Sequence, residues 1–169
     1  MRGHIIAYTG AHGTGKTFAA MARAREIKET HPELLVYLKQ ENTAFCPAPV
    51  NGRSRPESAL WIFGQALQRD IELLARFDIV VADRTVVDAA AYAMASGFFE
   101  VAGDITRLAA HHMHRYREIH FHTIAANDHL HADGFRDTRQ AWRRQVERDL
   151  LNLYSRLGLD ADAPGFFLH

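Results

Sequence analysis

Cysteine is almost missing from this chain: Cys46 is the single one in 169 residues. No intramolecular disulfide framework can form, and a reducing compartment is expected. A charge excess of either sign is missing too. Twenty basic and twenty acidic residues give a formal net charge of zero, which speaks against a protein wrapped in nucleic acid while leaving room for a local basic patch. No apolar run approaches the roughly 20 residues of a membrane-spanning helix. The chain passes from Met1-Arg2-Gly3-His4 straight into an apolar run, so no signal peptide is expected ahead of the fold. Repeats, low-complexity tracts and linkers are also lacking, and no heptad pattern speaks to oligomeric state. What remains is one domain, residues 1–169, expected to be cytoplasmic and without a membrane partner.

What is present is concentrated near the start. Ile5-Ile6-Ala7-Tyr8-Thr9 runs into Gly10-Ala11-His12-Gly13-Thr14-Gly15-Lys16-Thr17, and Phe18-Ala19-Ala20-Met21-Ala22 continues as helix. This is a complete phosphate-binding loop between a strand and a helix. Its glycines let main-chain N–H groups approach an anion, and the helix start adds unsatisfied N–H groups and a positive dipole end. Lys16 supplies a charge for the outer phosphates and Thr17 a hydroxyl for Mg²⁺. His12, protonated near its normal pKa of about 6.5, is a further candidate for phosphate contact.

Along the chain, a helix over 16–29 ends at His31-Pro32, and Leu34 to Leu38 reads as a buried strand. Cys46 to Gly52 is a loop. Ser54 and Glu57 form a capping-box pattern ahead of a long helix. Asp78 to Asp83 is a second buried strand, Thr85 to Ser96 a helix stopped by Gly97, and Asp104 to Tyr116 a further helix. Ile119 to Ile124 alternates as a strand, residues 125–140 form a polar lid segment, and Thr138 to Leu157 is the last helix. Pro164 to Leu168 is an edge strand. Strands alternating with helices predict a three-layer α/β fold with a mostly parallel five-stranded sheet. Ligands are then expected at the carboxyl ends of the strands, where Gly10, Glu41 and Asp83 all fall.

Apolar residues ending at Asp83 form a Walker-B-type strand that brings a carboxylate to Mg²⁺ or its water ligands. The same residue could instead cap the next helix. The histidines offer no zinc pattern: His111 and His114 share a helix face without partners in order.

Asp83-Arg84-Thr85-Val86-Val87-Asp88-Ala89-Ala90-Ala91-Tyr92 resembles the Asp-Arg-Ser/Thr-x-x-Asp-x-x-Ala-Tyr stretch of P-loop nucleoside and nucleotide kinases, the group of thymidylate and deoxynucleoside kinases. The resemblance implies an ATP- and Mg²⁺-dependent kinase in which Arg84 contacts substrate or phosphates and Asp88 orders it. It implies Glu41, just after the second strand, as base on the acceptor hydroxyl, and Gln65 as a contact to the acceptor base. It places Arg136 and Arg139 in a lid over the triphosphate, whereas Arg143 and Arg144 read as a solvated helix face. Where related patterns carry an arginine after the glutamate, this chain has Asn42-Thr43-Ala44-Phe45, which favours an uncharged acceptor over a phosphate. The expected function is γ-phosphoryl transfer to a nucleoside- or nucleotide-like acceptor. Two alternatives stay open: a phage-type kinase acting on 5-hydroxymethyluracil in DNA, and a nucleotide-dependent switch without a small acceptor.

Overall fold

The computed structural model describes residues 3–50, 53–125 and 140–169; Arg136 and Arg139 lie outside them. Five strands, β1 (His4–Thr9), β2 (Val36–Lys39), β3 (Ile79–Asp83), β4 (Tyr116–Phe121) and β5 (Phe166–Leu168), form one sheet in the order β2-β3-β1-β4-β5. All four pairings are parallel, as the alternation of strands and helices predicts. Among the described residues five α-helices join them: α1 (Lys16–Thr30), α2 (Pro56–Leu74), α3 (Asp88–Ala95), α4 (Phe99–Ala110) and α5 (Gln140–Arg156).

The central strands are apolar on both sides because both sides are covered. Ile5, Ala7, Val80, Ala82, Ile119 and Phe121 pack with residues of α2, α3, α4 and α5. Ile6, Tyr8 and Val81 turn the other way, toward Ala20 and Ile27 of α1. Ile5, Ile6, Val80 and Val81 are at most 2% exposed, each contributing on the order of 1.5–3 kcal/mol of transfer free energy.

Several boundaries differ from expectation. The helix expected over 104–116 is α4, which begins at Phe99 and ends at Ala110. The Gly97 turn that closes α3, with Phe98 N–H bonded to the Ala93 carbonyl and Gly97 N–H to that of Met94, leads directly into a new helix. After α4 a single 3-10 turn, Met113–Arg115, delivers Tyr116 into β4. The Ser54/Glu57 capping box does not form. The cap residue of α2 is Arg55, Pro56 starts the helix, and the Ser58 hydroxyl accepts the Arg55 N–H at 3.1 Å while donating to the Pro49 carbonyl at 2.5 Å.

Candidate functional site

β1 delivers the chain to Gly10 at φ +133°, where a Cβ would stand 2.3 Å from the His122 carbonyl oxygen. Only glycine fits there. Gly15, in the left-handed region, begins α1 with no side-chain cap, so the first-turn N–H groups are left for whatever occupies the loop. Lys16 is 4% exposed, and its Nζ donates to the Ala11 carbonyl at 3.1 Å. Burial, reinforced by the Arg84 charge, lowers its pKa to about 8 against the opposing pull of Glu41, Asp83 and Asp88. The lysine thus rests on a loop carbonyl as a cation available to an incoming anion.

β3 ends in Asp83, itself 4% exposed. Thr17 Oγ1 donates to its Oδ2 at 2.6 Å, while Oδ1 is buried with no hydrogen-bond partner. A buried carboxylate oxygen left unmatched is costly. One such oxygen beside a hydroxyl suits a small hard cation that fills its remaining positions with phosphate and water. Asp83 does not cap the next helix. That turn is closed by Thr85 Oγ1, which accepts the Val87 N–H at 3.1 Å, and by Asp88 Oδ2, which accepts the Thr85 N–H at 3.0 Å.

Arg84 takes φ +83°, among the described residues the one non-glycine with positive φ. Such a conformation costs about 1–2 kcal/mol and points to a side chain held for a purpose. Its Nη1 donates to Asp88 Oδ1 and its Nη2 to the Tyr92 hydroxyl, both at 3.1 Å, and its Cζ lies 4.9 Å from the Tyr92 ring centroid. Nε stands 2.8 Å from Glu41 Oε2, too oblique for a directed hydrogen bond but a close ion pair. The other Glu41 oxygen accepts the Thr43 hydroxyl at 2.6 Å. Burial alone would raise the Glu41 pKa; the Arg84 and Lys16 charges and the Thr43 hydrogen bond outweigh it and hold the carboxyl down to about 2. Asp88 is anchored in turn by Thr9 Oγ1 and Thr85 Oγ1, each 2.9 Å from Oδ2.

A cleft of about 330 Å³ lies among these groups, lined by Thr17, Asp83, Glu41, Arg84, Asp88 and Tyr92. Its apolar wall comes from Ala59, Ile62, Ala89, Ala93 and Phe98. Gln65 is not among the lining residues; from α2 the cleft is lined by Ser58, Ala59 and Ile62 instead, and Gln40 also lines it. Phe63 belongs to the core.

Three residues near the site were not anticipated. Arg143, expected on a solvated face, is fully buried, and its Nε donates to the His12 carbonyl at 3.2 Å. Its sequence signal is its line with Val146, Leu150 and Leu153 on the apolar face of α5. Glu147, its expected partner, instead accepts the Ile124 N–H at 2.6 Å. Tyr154 reaches Thr85 Oγ1 at 2.7 Å, and Thr9 reaches Asp88. His12, 4% exposed, packs against Tyr92 and Trp142, with ring centroids 6.4 and 5.7 Å away. It lines the cleft from inside the phosphate loop.

A parallel sheet carrying this loop and a strand-terminal aspartate defines a P-loop nucleotide-binding α/β protein. The AAA domain family model matches residues 5–161, and the chain belongs to that family. No curated protein matches the sequence. Among solved structures, the thymidylate kinase of Ehrlichia chaffeensis is similar in fold with a TM-score of 0.70 at 14% identity, over 100% of this chain and 93% of that one. The thymidylate kinase of Candida albicans gives a TM-score of 0.65, also at 14% identity, over 99% and 83%. At that identity the likeness is one of fold: a thymidylate-kinase-like P-loop architecture. Among the described residues no helix is long and apolar enough to cross a membrane.

Proposed function

We propose that the protein is an ATP-dependent, Mg²⁺-assisted kinase that transfers the γ-phosphoryl group to a nucleoside- or nucleotide-like acceptor. The observation that carries this reading is the cleft lined by Thr17 and Asp83 together with Glu41 and Arg84. A loop that only bound or hydrolysed nucleotide would need no walled, partly apolar chamber beside it. The phosphate loop N–H groups and Lys16 hold the donor, Lys16 leaving the Ala11 carbonyl for phosphate oxygens. Thr17 and Asp83 hold the cation, which supplies charge neutralisation for the phosphates. Arg84, fixed by Asp88 and Tyr92, presents its guanidinium to charge spreading over the equatorial oxygens. Glu41 accepts the hydrogen bond of the attacking hydroxyl and orients it. At a pKa of about 2 it is a weak proton acceptor while paired with Arg84, which suits a loose transition state in which the proton leaves late. Arg136 and Arg139 are assigned to closing over the triphosphate, where excluding water protects ATP from hydrolysis.

With all three Arg84 nitrogens in contact with Glu41, Asp88 or Tyr92, and three carboxylates on the cleft lining, a neutral hydroxyl acceptor is favoured over an anionic one. The test is whether ATP consumption requires an acceptor. The account expects turnover only with one present, and none from Lys16→Ala. Acceptor-independent hydrolysis untouched by Glu41→Gln would leave a nucleotide switch as the better description.

A further inference from the structure

Behind the cleft lies a buried polar cluster that the chemistry above does not use. Asp70 of α2 is 0% exposed. One of its oxygens, Oδ1, pairs with Lys39 Nζ, itself 3% exposed. The other, Oδ2, accepts the Tyr116 hydroxyl at 2.6 Å and has His112 Nε2 at 3.4 Å. Tyr116 Oη in turn accepts the Val86 N–H at 3.1 Å. Burial opposes the charge on Asp70, but Lys39 and the His112 and Tyr116 contacts outweigh it and hold the carboxyl below its ordinary value. Burial and that same carboxylate push the Tyr116 phenol well above its ordinary value, so Tyr116 is the donor to Asp70.

The sequence positions give the cluster its meaning. Lys39 stands two residues before Glu41, and Val86 two residues after Arg84. The β2–β3 ladder ends at the Lys39–Ala82 rung, so Glu41 and Arg84 both lie beyond the last rung joining those strands. The Arg84 N–H is still bonded to the Tyr8 carbonyl of β1 at 2.8 Å, but where the β2–β3 ladder stops joining the two segments to each other, one carboxylate is tied to both. We propose that Asp70 is a positioning residue whose two oxygens, through Lys39 and through Tyr116 to the Val86 N–H, set the separation of the Glu41–Arg84 pair. A buried ion pair adds little net stability over apolar residues of the same volume, so stability alone is a poor reason for its presence. Fixing two strand ends against each other is a sufficient one.

The test uses a variant that deletes one oxygen and leaves the packing: Tyr116→Phe. In protein labelled with ¹⁵N-arginine, the buried Arg84 Nε–H resonance is identified by its loss in Arg84→Lys. Its solvent exchange in Tyr116→Phe is expected to rise about tenfold or more, and likewise in Lys39→Met. Ile27→Val, a destabilising change under α1 on the other sheet face, is expected to leave it as in the native chain. Equal exchange in the native chain and both network variants, with only their melting temperatures lowered, would overturn the proposal. A second arm rests on the kinase reading: kcat falls about tenfold in Tyr116→Phe with KM for ATP unchanged, and its loss does not multiply with that of Glu41→Gln. Fully multiplicative losses would count against positioning. Absence of turnover in the native chain would refute the kinase reading while the exchange measurement still decides the role of Asp70.

Discussion

Replacing Glu41 by Gln keeps the shape of the side chain and removes one charge from between Arg84 and Lys16. The native carboxyl is held from 4.5 down to about 2, and a tenfold change in proton affinity corresponds to about 1.4 kcal/mol. The charged contacts of Glu41 therefore contribute at most about 3 kcal/mol at neutral pH by linkage. With its side chain 27% exposed, solvent screening reduces that to about 1–2 kcal/mol. Because the folded pKa is depressed, this stabilisation is complete above the unfolded value and is lost as pH falls through the folded one. Urea denaturation should therefore show Glu41→Gln less stable by about 1–2 kcal/mol at pH 7, with the gap closing between about pH 5 and pH 2. Acceptor-dependent turnover should fall by about 10²-fold or more, while ATP affinity changes little because the phosphate loop contacts are intact. A variant with native turnover, or a stability gap that does not vary with pH, would refute the role given to Glu41.

Arg84→Gly and Arg84→Ala both remove the guanidinium, but only glycine relieves the positive φ; the glycine variant should be the more stable by about 1 kcal/mol in denaturant titrations. With the Lys16 pKa lowered to about 8, the lysine loses its proton in the free protein above that pH. ATP affinity, followed by fluorescence titration, should be level below about pH 7.5 and weaken steadily above pH 8. Asp83→Asn removes a carboxylate whose Oδ1 has no hydrogen-bond partner among the described residues; the Mg²⁺ concentration for half-maximal nucleotide binding should rise about tenfold or more, with ATP binding in EDTA unchanged.

The phosphate-binding loop and the turn after β3 were legible in the sequence because each is consecutive. Gly10 to Thr17 form one loop recognisable from its spacing, and Asp83 to Asp88 one turn whose residues carry the resemblance to nucleoside and nucleotide kinases. What holds these pieces in place is assembled across the chain. Asp88 is held by Thr9, 79 residues away, and the phosphate loop is braced by Arg143, 131 residues from His12. No local pattern announces such partners. Arg143 reads as solvated because (i, i+4) pairing with Glu147 is a local rule, whereas it lies buried with its Nε on the His12 carbonyl. Element boundaries failed for a related reason. Tyr116 continues a helical pattern in sequence, but its pairing opposite Ile5 and its bond to Asp70 draw it into the sheet. Gln65 was chosen for its chemistry, and the rotation of α2 set by Phe63 and Leu74 in the core presents Ser58 and Ile62 to the cleft instead.

The central claim, that one cleft joins a nucleotide donor to a separate acceptor, is tested most directly with γ-³²P-labelled ATP and Mg²⁺. The panel comprises nucleosides, nucleoside monophosphates and duplex DNA containing 5-hydroxymethyluracil. The account predicts label on an acceptor, with nucleosides ahead of monophosphates, and none with Lys16→Ala. Label released only as inorganic phosphate, at a rate indifferent to every acceptor, would contradict it.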